Sequence, residues 1–235
     1  MRAAVMTVKV TAARPPSRRH RALNAALWYA SRMDLLAKTR MQTPLDAPAA
    51  AGAYRAIVVD PPWDQGKTGI RSVRPNQGPA LDYPTMTQDE ILRGARIDEW
   101  AADNAFLWLW ATNSRSRSSG RPILLQAFEL MEAWGFRYYT MLTWSKRTGP
   151  CPFGPYQITT EHCLFGYRGK CRFPKQSLGG MKTLFESPPA RHSEKPTVLY
   201  EHIRAHFPTP RLDVFARRRH RGFDAWGDEA EGRAA

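Results

Sequence analysis

One short stretch, YRAIVVDPPW at residues 54–63, constrains the fold more than any other part of the chain. Four consecutive apolar residues, 56–59, have the length and composition of a strand buried on both faces of a sheet. Pro61 and Pro62 have no N–H and fix their own φ angles, so the strand ends at once. Asp60 is therefore expected at the carboxyl end of a buried strand, the edge of an open α/β sheet where ligands bind.

The groups at this corner suit a planar base that carries an exocyclic amine. The Asp60 carboxylate and the Pro61 carbonyl can each accept one N–H of such an amine, while Trp63 stacks on the ring. The alternative is a plain turn that closes the strand, with Trp63 as a core residue. The elements predicted along the rest of the chain favour the ligand-binding interpretation.

Apolar patterns predict an α/β fold with a mostly parallel, doubly wound sheet, because strands alternate with helices and end in polar residues. Thr87 and Glu90 have the spacing of a capping box, and Gly135 is placed to end a later helix. Further strands are predicted at 105–112, 138–146, 161–167 and 211–217, and helices are predicted after Thr87, Pro122 and Pro196.

The chain is strongly basic, with a formal net charge of +14 and a pI near 10.2. A field of that sign favours a nucleic-acid partner, although a soluble basic surface is the alternative. Residues 1–53 carry half of the excess, a net charge of +7 (nine basic against two acidic residues). We predict a basic extension at 1–53 with one helix near 20–40, followed by a single α/β domain at 54–235.

Several other classes of protein are disfavoured by the sequence. No run of 18 apolar residues exists, and no apolar segment follows the basic N-terminus, so we expect neither a membrane span nor a secretory signal. The expected location is the cytoplasm. Cys151, Cys163 and Cys171 lack the paired spacing of a zinc site, although His162 adjoins Cys163, so reduced structural thiols are expected rather than a metal site.

A set of motifs follows the first strand in a fixed order. In chain order they are Asp60-Pro61-Pro62-Trp63, Tyr83-x-Thr85-Met86, the FLWLW strand, Trp144-Ser145-Lys146, Glu161-His162-Cys163-Leu164, His192-Ser193-Glu194-Lys195-Pro196 and LDVFARR with a distal Trp226-Gly227. This order resembles that of the DPPW-type adenine-N6 methyltransferases, typified by the catalytic subunit of the eukaryotic messenger-RNA adenine methylation complex and including bacterial and phage relatives. The resemblance covers roughly 54–229 and implies a Rossmann-like, S-adenosylmethionine-dependent methyltransferase domain.

The resemblance also implies roles for individual residues. The target adenine would be held by Asp60, Pro61, Pro62 and Trp63, with Tyr83, Glu161 and Lys195 as its other contacts. The cofactor S-adenosylmethionine would be contacted by Asp60, Lys195, Asp213, Arg217, Arg219, His220, Asp228 and Glu229. No GxGxxG motif is present, so no glycine-rich loop predicts the cofactor site, and no metal is implied.

Three functions fit this reading of the chain. Methylation of the adenine amine in DNA is favoured, and the same chemistry on RNA is the second. The third is a catalytically silent subunit that binds nucleic acid, but the intact residues 60–63 and Lys195 argue against it. Oligomeric state and recognition sequence cannot be read from the chain, so a homodimer stays open.

Overall fold

Strand β1 (Tyr54–Val59) lies inside the sheet and confirms the strand predicted from the apolar run. The computed structural model describes residues 47–65, 85–146, 152–153, 156–174, 180–188 and 194–227. All of β1 except Arg55 is buried, as expected for a strand covered on both faces. Its parallel neighbours are β2 (Ala101–Ala111) on one side and β8 (Arg211–Val214) on the other.

The other described elements complete a seven-stranded sheet and its helices. The strands are β3 (Arg137–Lys146), β6 (Thr160–Arg168), β7 (Leu184–Ser187) and β9 (Asp224–Trp226), beside a separate pair, β4 (Pro152–Phe153) and β5 (Tyr156–Gln157). The helices are α1 (Gln88–Gly94), α2 (Ile97–Trp100), α3 (Ile123–Ala133) and α4 (Thr197–His206). The sheet order is β7-β3-β6-β2-β1-β8-β9, and among these described strands β6 alone is antiparallel to its neighbours. The mostly parallel, Rossmann-like α/β fold is therefore confirmed.

The two faces of the sheet pack against different helices, because successive side chains of a strand point to opposite faces. Ile57 and Val59 of β1 belong to one core, together with Leu130 of α3. Val58 belongs to a second core, together with Leu199 of α4. Helices thus cover both faces of β1, and its polar exit is directed to the sheet edge.

Local sequence signals set several element boundaries as predicted. Thr87 caps α1: its Oγ1 accepts the Glu90 N–H at 3.3 Å, and Glu90 Oε2 accepts the Thr87 N–H at 2.7 Å. Pro122 directly precedes α3. Gly135 follows the end of α3 with a φ of 79°, a conformation that favours glycine.

The predicted strand at 211–217 is too long. It ends at Val214 because Phe215 adopts a φ of 60°, which turns the chain out of the sheet. Helix α2 and strands β7 and β9 were not predicted. Each has only three or four residues, too few to show a helical or alternating period.

The predicted helix near 20–40 lies outside the described residues. The chain divides into two compact units, Met1–Thr43 and Pro44–Ala235, and all described residues fall in the second. The predicted division between residues 53 and 54 stays a prediction. In the described part of the chain, no helix has the length and apolar character needed to cross a membrane.

Gly166 of β6 lies in crowded surroundings. A Cβ atom there would be 2.7 Å from the Arg137 carbonyl oxygen and 2.8 Å from the Met131 Sδ atom. We predict that Gly166→Ala lowers the free energy of unfolding by about 1–3 kcal/mol, because the neighbouring strand and a buried side chain must shift. Urea denaturation measures the loss.

Gly94→Ala is the matched control. Gly94 ends α1, and a Cβ atom there would meet only the flexible end of Met86, at 3.3 Å. This variant should be neutral or up to about 1 kcal/mol more stable than the wild type, since alanine is the better helix former. Equal stability of the two variants would contradict the close packing of β6.

Candidate active site

The corner after β1 is fixed by backbone hydrogen bonds. The Asp60 N–H donates to the Val214 carbonyl of β8 at 3.2 Å, and the Trp63 N–H donates to the Pro61 carbonyl at 2.8 Å. The Pro62 carbonyl also accepts a backbone N–H, at 2.7 Å. The Pro61 and Pro62 carbonyls therefore each accept one bond already, and each keeps one further lone pair for a ligand.

Trp63 does not present the open aromatic face that the sequence predicts. Its side chain is 2% exposed and belongs to the core that contains Ile57 and Leu109. Its indole Nε1–H donates to the Trp110 carbonyl at 2.9 Å, which ties the corner to the end of β2. The expectation that Trp63 stacks on a base is wrong in this structure, and Trp63 instead holds the corner in place.

Glu161 reaches the same edge of the sheet because β6 runs antiparallel to its neighbours. His162 pairs with Ala111 at the end of β2, and Thr160 pairs with Ser145 near the end of β3. The start of β6 therefore lies beside the carboxyl ends of the adjacent strands. That direction brings Glu161 to the edge at which Asp60 leaves β1.

Lys195 lies between two carboxylates at this edge. Its Nζ is 2.8 Å from Asp60 Oδ1 and 3.3 Å from Glu161 Oε2, and it lies over the Trp110 ring. The side chains of Lys195, Asp60 and Glu161 are 9%, 13% and 15% exposed. Lys146 pairs with Glu161 Oε1 from the other side. Two ammonium groups thus balance two carboxylates in a nearly dry site.

Burial and charge shift the pKa values of this cluster in different directions. Burial alone lowers the pKa of Lys195, but the two adjacent carboxylates outweigh it and raise that pKa above its usual value. Burial raises the pKa of Glu161, but Lys195 and Lys146 outweigh burial and lower it. For Asp60 burial dominates and raises the pKa, although Lys195 opposes the rise. Lys195 is therefore a cation, and Asp60 is a more basic hydrogen-bond acceptor than an exposed aspartate.

A second cluster of polar side chains surrounds Asp213 of β8, which pairs with Val58 of β1. The Tyr200 hydroxyl donates to Asp213 Oδ1 at 3.2 Å, and the Tyr200 ring stacks on His220 with 3.4 Å between centroids. His220 Nε2 is 4.0 Å from Asp213 Oδ2. Burial, followed by the charge of Asp60, raises the pKa of Asp213 well above its usual range. Asp213 is therefore a stronger base than an exposed aspartate.

Sequence reasoning missed Arg218, which connects the Lys195 cluster with the cluster around Asp213. Its guanidinium pairs with Glu194, donates to Thr197 Oγ1 at 2.6 Å, and lies 3.3 Å from His220 Nε2. Glu194 directly precedes Lys195 in the chain. Arg218 therefore links the segment that carries Lys195 to the segment that carries His220. The run of arginines in the sequence is a signal for such a role, but it does not single out one member.

Five predicted site residues remain to be described: Arg217, Arg219, Tyr83, Asp228 and Glu229. Arg217 carries a charge that opposes the burial-driven rise in the pKa of Asp60, and Arg219 is exposed. A surface cavity that Leu184 helps to line lies beside β7, four strands across the sheet from β1, so it is separate from this site. Three predicted site residues lie outside the described part of the chain and stay predictions: Tyr83, Asp228 and Glu229.

The fold and the edge cluster are those of an α/β protein in which ligands are expected at the carboxyl ends of the central strands. A family comparison matches residues 54–229 to MT-A70. The match covers well over half of the chain, so the protein belongs to the MT-A70 family. It is a methyltransferase.

Two similar proteins support this assignment. The Type II methyltransferase M.MunI of Mycoplasma sp is 31% identical over 195 residues, which cover 75% of this chain and 77% of the relative. The N(6)-adenosine-methyltransferase non-catalytic subunit METTL14 of Drosophila melanogaster is 27% identical over 136 residues. That alignment covers 54% of this chain and 32% of the relative.

The titration of His220 makes the stability of the domain depend on pH. Burial, followed by repulsion from Arg218, lowers the pKa of His220 from 6.5 to about 4, although Glu194 partly offsets the shift. Between these values the unfolded chain binds the proton and the folded chain does not, so stability falls as the pH falls through this window. We predict that His220→Gln loses less unfolding free energy across this window than the wild type does.

Urea denaturation at intervals from neutral pH to about pH 4.5 measures this difference. Circular dichroism at neutral pH verifies that His220→Gln is folded before the two pH series are compared. An equal loss of stability in the wild type and His220→Gln would show that His220 is not held in its neutral form.

Proposed function

We propose that the protein transfers a methyl group from S-adenosylmethionine to the exocyclic amine of adenine in DNA. The observation that carries this proposal is the buried cluster of Asp60, Lys195 and Glu161 at the carboxyl edge of the sheet. Burying an ion pair costs free energy unless every charge is matched, so such a cluster is a poor device for stability alone. Its place at the ligand-binding edge favours a role in chemistry.

Asp60 and Pro61 provide the acceptors that an exocyclic amine needs. The nitrogen lone pair of adenine is delocalised into the ring, which makes the amine a weak nucleophile. The Asp60 carboxylate accepts one N–H, and the remaining lone pair of the Pro61 carbonyl accepts the other. Acceptors in both N–H directions favour a pyramidal nitrogen, and their effect is larger in a nearly dry site than in water.

Lys195 and Glu161 keep these acceptors in place. Lys195 bonds Asp60 and thereby fixes the orientation of its carboxylate, while Lys146 holds Glu161 against the same ammonium group. Positioning of this kind supplies part of the rate of a transfer reaction because the reacting groups need no further alignment. Tyr83 stays the predicted aromatic neighbour of the base.

The residues beside the cluster fit S-adenosylmethionine by their chemistry. That molecule carries a carboxylate, an ammonium group, a sulfonium and a ribose. At this edge the chain offers two cations, a buried carboxyl and an imidazole, from Lys195, Arg217, Asp213 and His220. Among the described residues, the buried Trp110 Nε1 atom also has no hydrogen-bond partner.

Different residues at this edge would contact the cofactor and the base. When bound, S-adenosylmethionine supplies the methyl group. Asp213, Arg217, Arg219 and His220 would hold it, with Asp228 and Glu229 as predicted further contacts. Asp60 and Lys195 would contact both the cofactor and the base. An adenine within a duplex must first leave the base stack, at a cost of a few kcal/mol.

The choice of DNA over RNA rests on the comparisons with known proteins. Similarity over about three quarters of both chains to a Type II methyltransferase favours DNA over RNA. The net charge of +14 suits either polymer. The partial similarity to METTL14 raises the alternative of a subunit without catalysis, but the chain retains Asp60, both prolines and Lys195.

One experiment separates these functions. The protein is incubated with labelled S-adenosylmethionine and either unmethylated genomic DNA or RNA, and the polymer is then digested to nucleosides. We expect label in N6-methyldeoxyadenosine from the DNA reaction. Label only in the RNA reaction would reassign the substrate, and no label in either reaction would indicate a binding subunit.

A further inference from the structure

The loop between β2 and α3 carries an unusual sequence. Residues 113–121, NSRSRSSGR, contain four serines and three arginines and no acidic residue. We call this segment the Ser-Arg loop. It leaves β2 at the carboxyl edge of the sheet, the edge at which Asp60 leaves β1, and Arg115, Arg117 and residues 118–121 are exposed. The loop plays no part in the site described above.

Asp64 fastens the Ser-Arg loop to the corner that binds the base. Asp64 Oδ2 accepts the Ser116 hydroxyl at 3.0 Å, the Ser118 N–H at 2.8 Å and the Ser118 hydroxyl. The Arg117 N–H donates to the Asp64 carbonyl at 2.7 Å, and Gln65 forms a bridge with Ser116. The loop is therefore held in one conformation by a residue that follows Trp63 directly.

Hydrogen-bond donors of the loop stabilise the charged form of Asp64. Its slight burial raises the pKa of Asp64, but the hydrogen bonds from Ser118 and Ser116 outweigh burial and lower the pKa. Asp64 is therefore an ionised carboxylate that serves as an anchor. Its negative charge is covered by hydroxyl and amide donors, while the arginine side chains of the loop remain at the surface.

The three arginines of the loop differ in their contacts. Arg121 pairs with Glu129, so its charge is already matched. Arg115 donates one bond, to the Gly120 carbonyl at 3.1 Å, and keeps its other donors. The guanidinium of Arg117 makes no hydrogen bond or ion pair within the part of the chain that the structure describes, although its positive charge contributes to lowering the pKa of Asp64. Arg117, with Arg115 beside it, thus presents an exposed positive charge on a loop of fixed conformation.

We propose that the Ser-Arg loop binds the phosphate backbone of the DNA beside the target adenine, with Arg117 as the principal contact. This inference rests on the proposed function. Asp64 lies four positions after Asp60 in the chain, a reach of at most about 14 Å. Phosphates of one strand repeat about every 3.4 Å along duplex DNA, so a strand that delivers an adenine to Asp60 passes the loop within a few nucleotides.

Contacts of this kind position the polymer without reading its sequence. Arginine guanidinium groups and serine hydroxyls are common partners of phosphate oxygens, and bidentate arginine contacts are the strong ones. A loop already fixed by Asp64 loses little conformational freedom on binding, which preserves affinity. The loop therefore sets where the strand lies, and the corner at Asp60 acts on the base.

The test is the salt dependence of DNA binding. Each lost phosphate contact reduces the slope of log Kd against log salt by roughly 0.9. We expect Arg117→Gln to bind a mixed-sequence duplex more weakly at low salt, with a slope reduced by about that amount. Arg117→Lys, which keeps the charge, should retain most of the slope. Fluorescence anisotropy measures both quantities.

Arg55→Gln is the matched control, because Arg55 is an exposed arginine near the start of β1, the end of the strand opposite to Asp60. It removes the same charge and should change the slope much less than Arg117→Gln does. Equal slopes for the wild type and Arg117→Gln, or equal changes in the two Gln variants, would overturn the inference. A change in slope with RNA of the same sequence but not with DNA would also overturn it.

Methyl transfer to unmethylated genomic DNA is measured on the same preparations. It tests the proposed function separately, because the slope reports phosphate contact and the label reports chemistry. If the wild type methylates DNA while Arg117→Gln keeps the full slope, the phosphate contact of the loop is refuted and the proposed function is not. A wild type that transfers no methyl group refutes the proposed function, whereas a reduced slope in Arg117→Gln still supports the phosphate contact.

Discussion

The ammonium group of Lys195 lies between the carboxylates of Asp60 and Glu161 where water is nearly excluded, and this contact constrains the whole sheet edge. Removing one member of a buried ion pair typically costs about 3–5 kcal/mol, because the remaining charge has no partner. The three residues come from the exit of β1, the start of β6 and the segment before α4. All three segments must therefore be in place before the charges balance.

The direction of β6 is the feature of the fold that makes this cluster possible. Parallel strands bring only their carboxyl ends to this edge, whereas the antiparallel β6 brings its first residues there, and with them Glu161. On the other side of β1, β8 contributes Asp213 by direct pairing with Val58. The edge thus holds two adjacent polar groups joined by Arg218, which suits an enzyme that binds two ligands together.

Much of the scaffold was predictable because its signals are local. The apolar run of β1, the two prolines after Asp60 and the capping box of α1 each depend on neighbouring residues. The direction of β6 was not predictable, since an apolar pattern is the same in both directions. The indole of Trp63 is held by the carbonyl of Trp110, which is distant in sequence. The residues next to Trp63 therefore could not show whether its indole packs in the core or stacks on a base. Lys195 was placed near Asp60 by family resemblance, and no spacing argument gave that contact.

The most direct test of this account replaces Asp60, the proposed acceptor of the adenine amine. Methyl transfer and S-adenosylmethionine affinity are compared for the wild type, Asp60→Ala and the isosteric Asp60→Asn, with thermal denaturation to verify folding. The account predicts that both variants lose methyl transfer by about 100-fold or more and that this loss far exceeds any loss of S-adenosylmethionine affinity. A folded Asp60→Ala protein that methylates adenine at a rate near that of the wild type would contradict it.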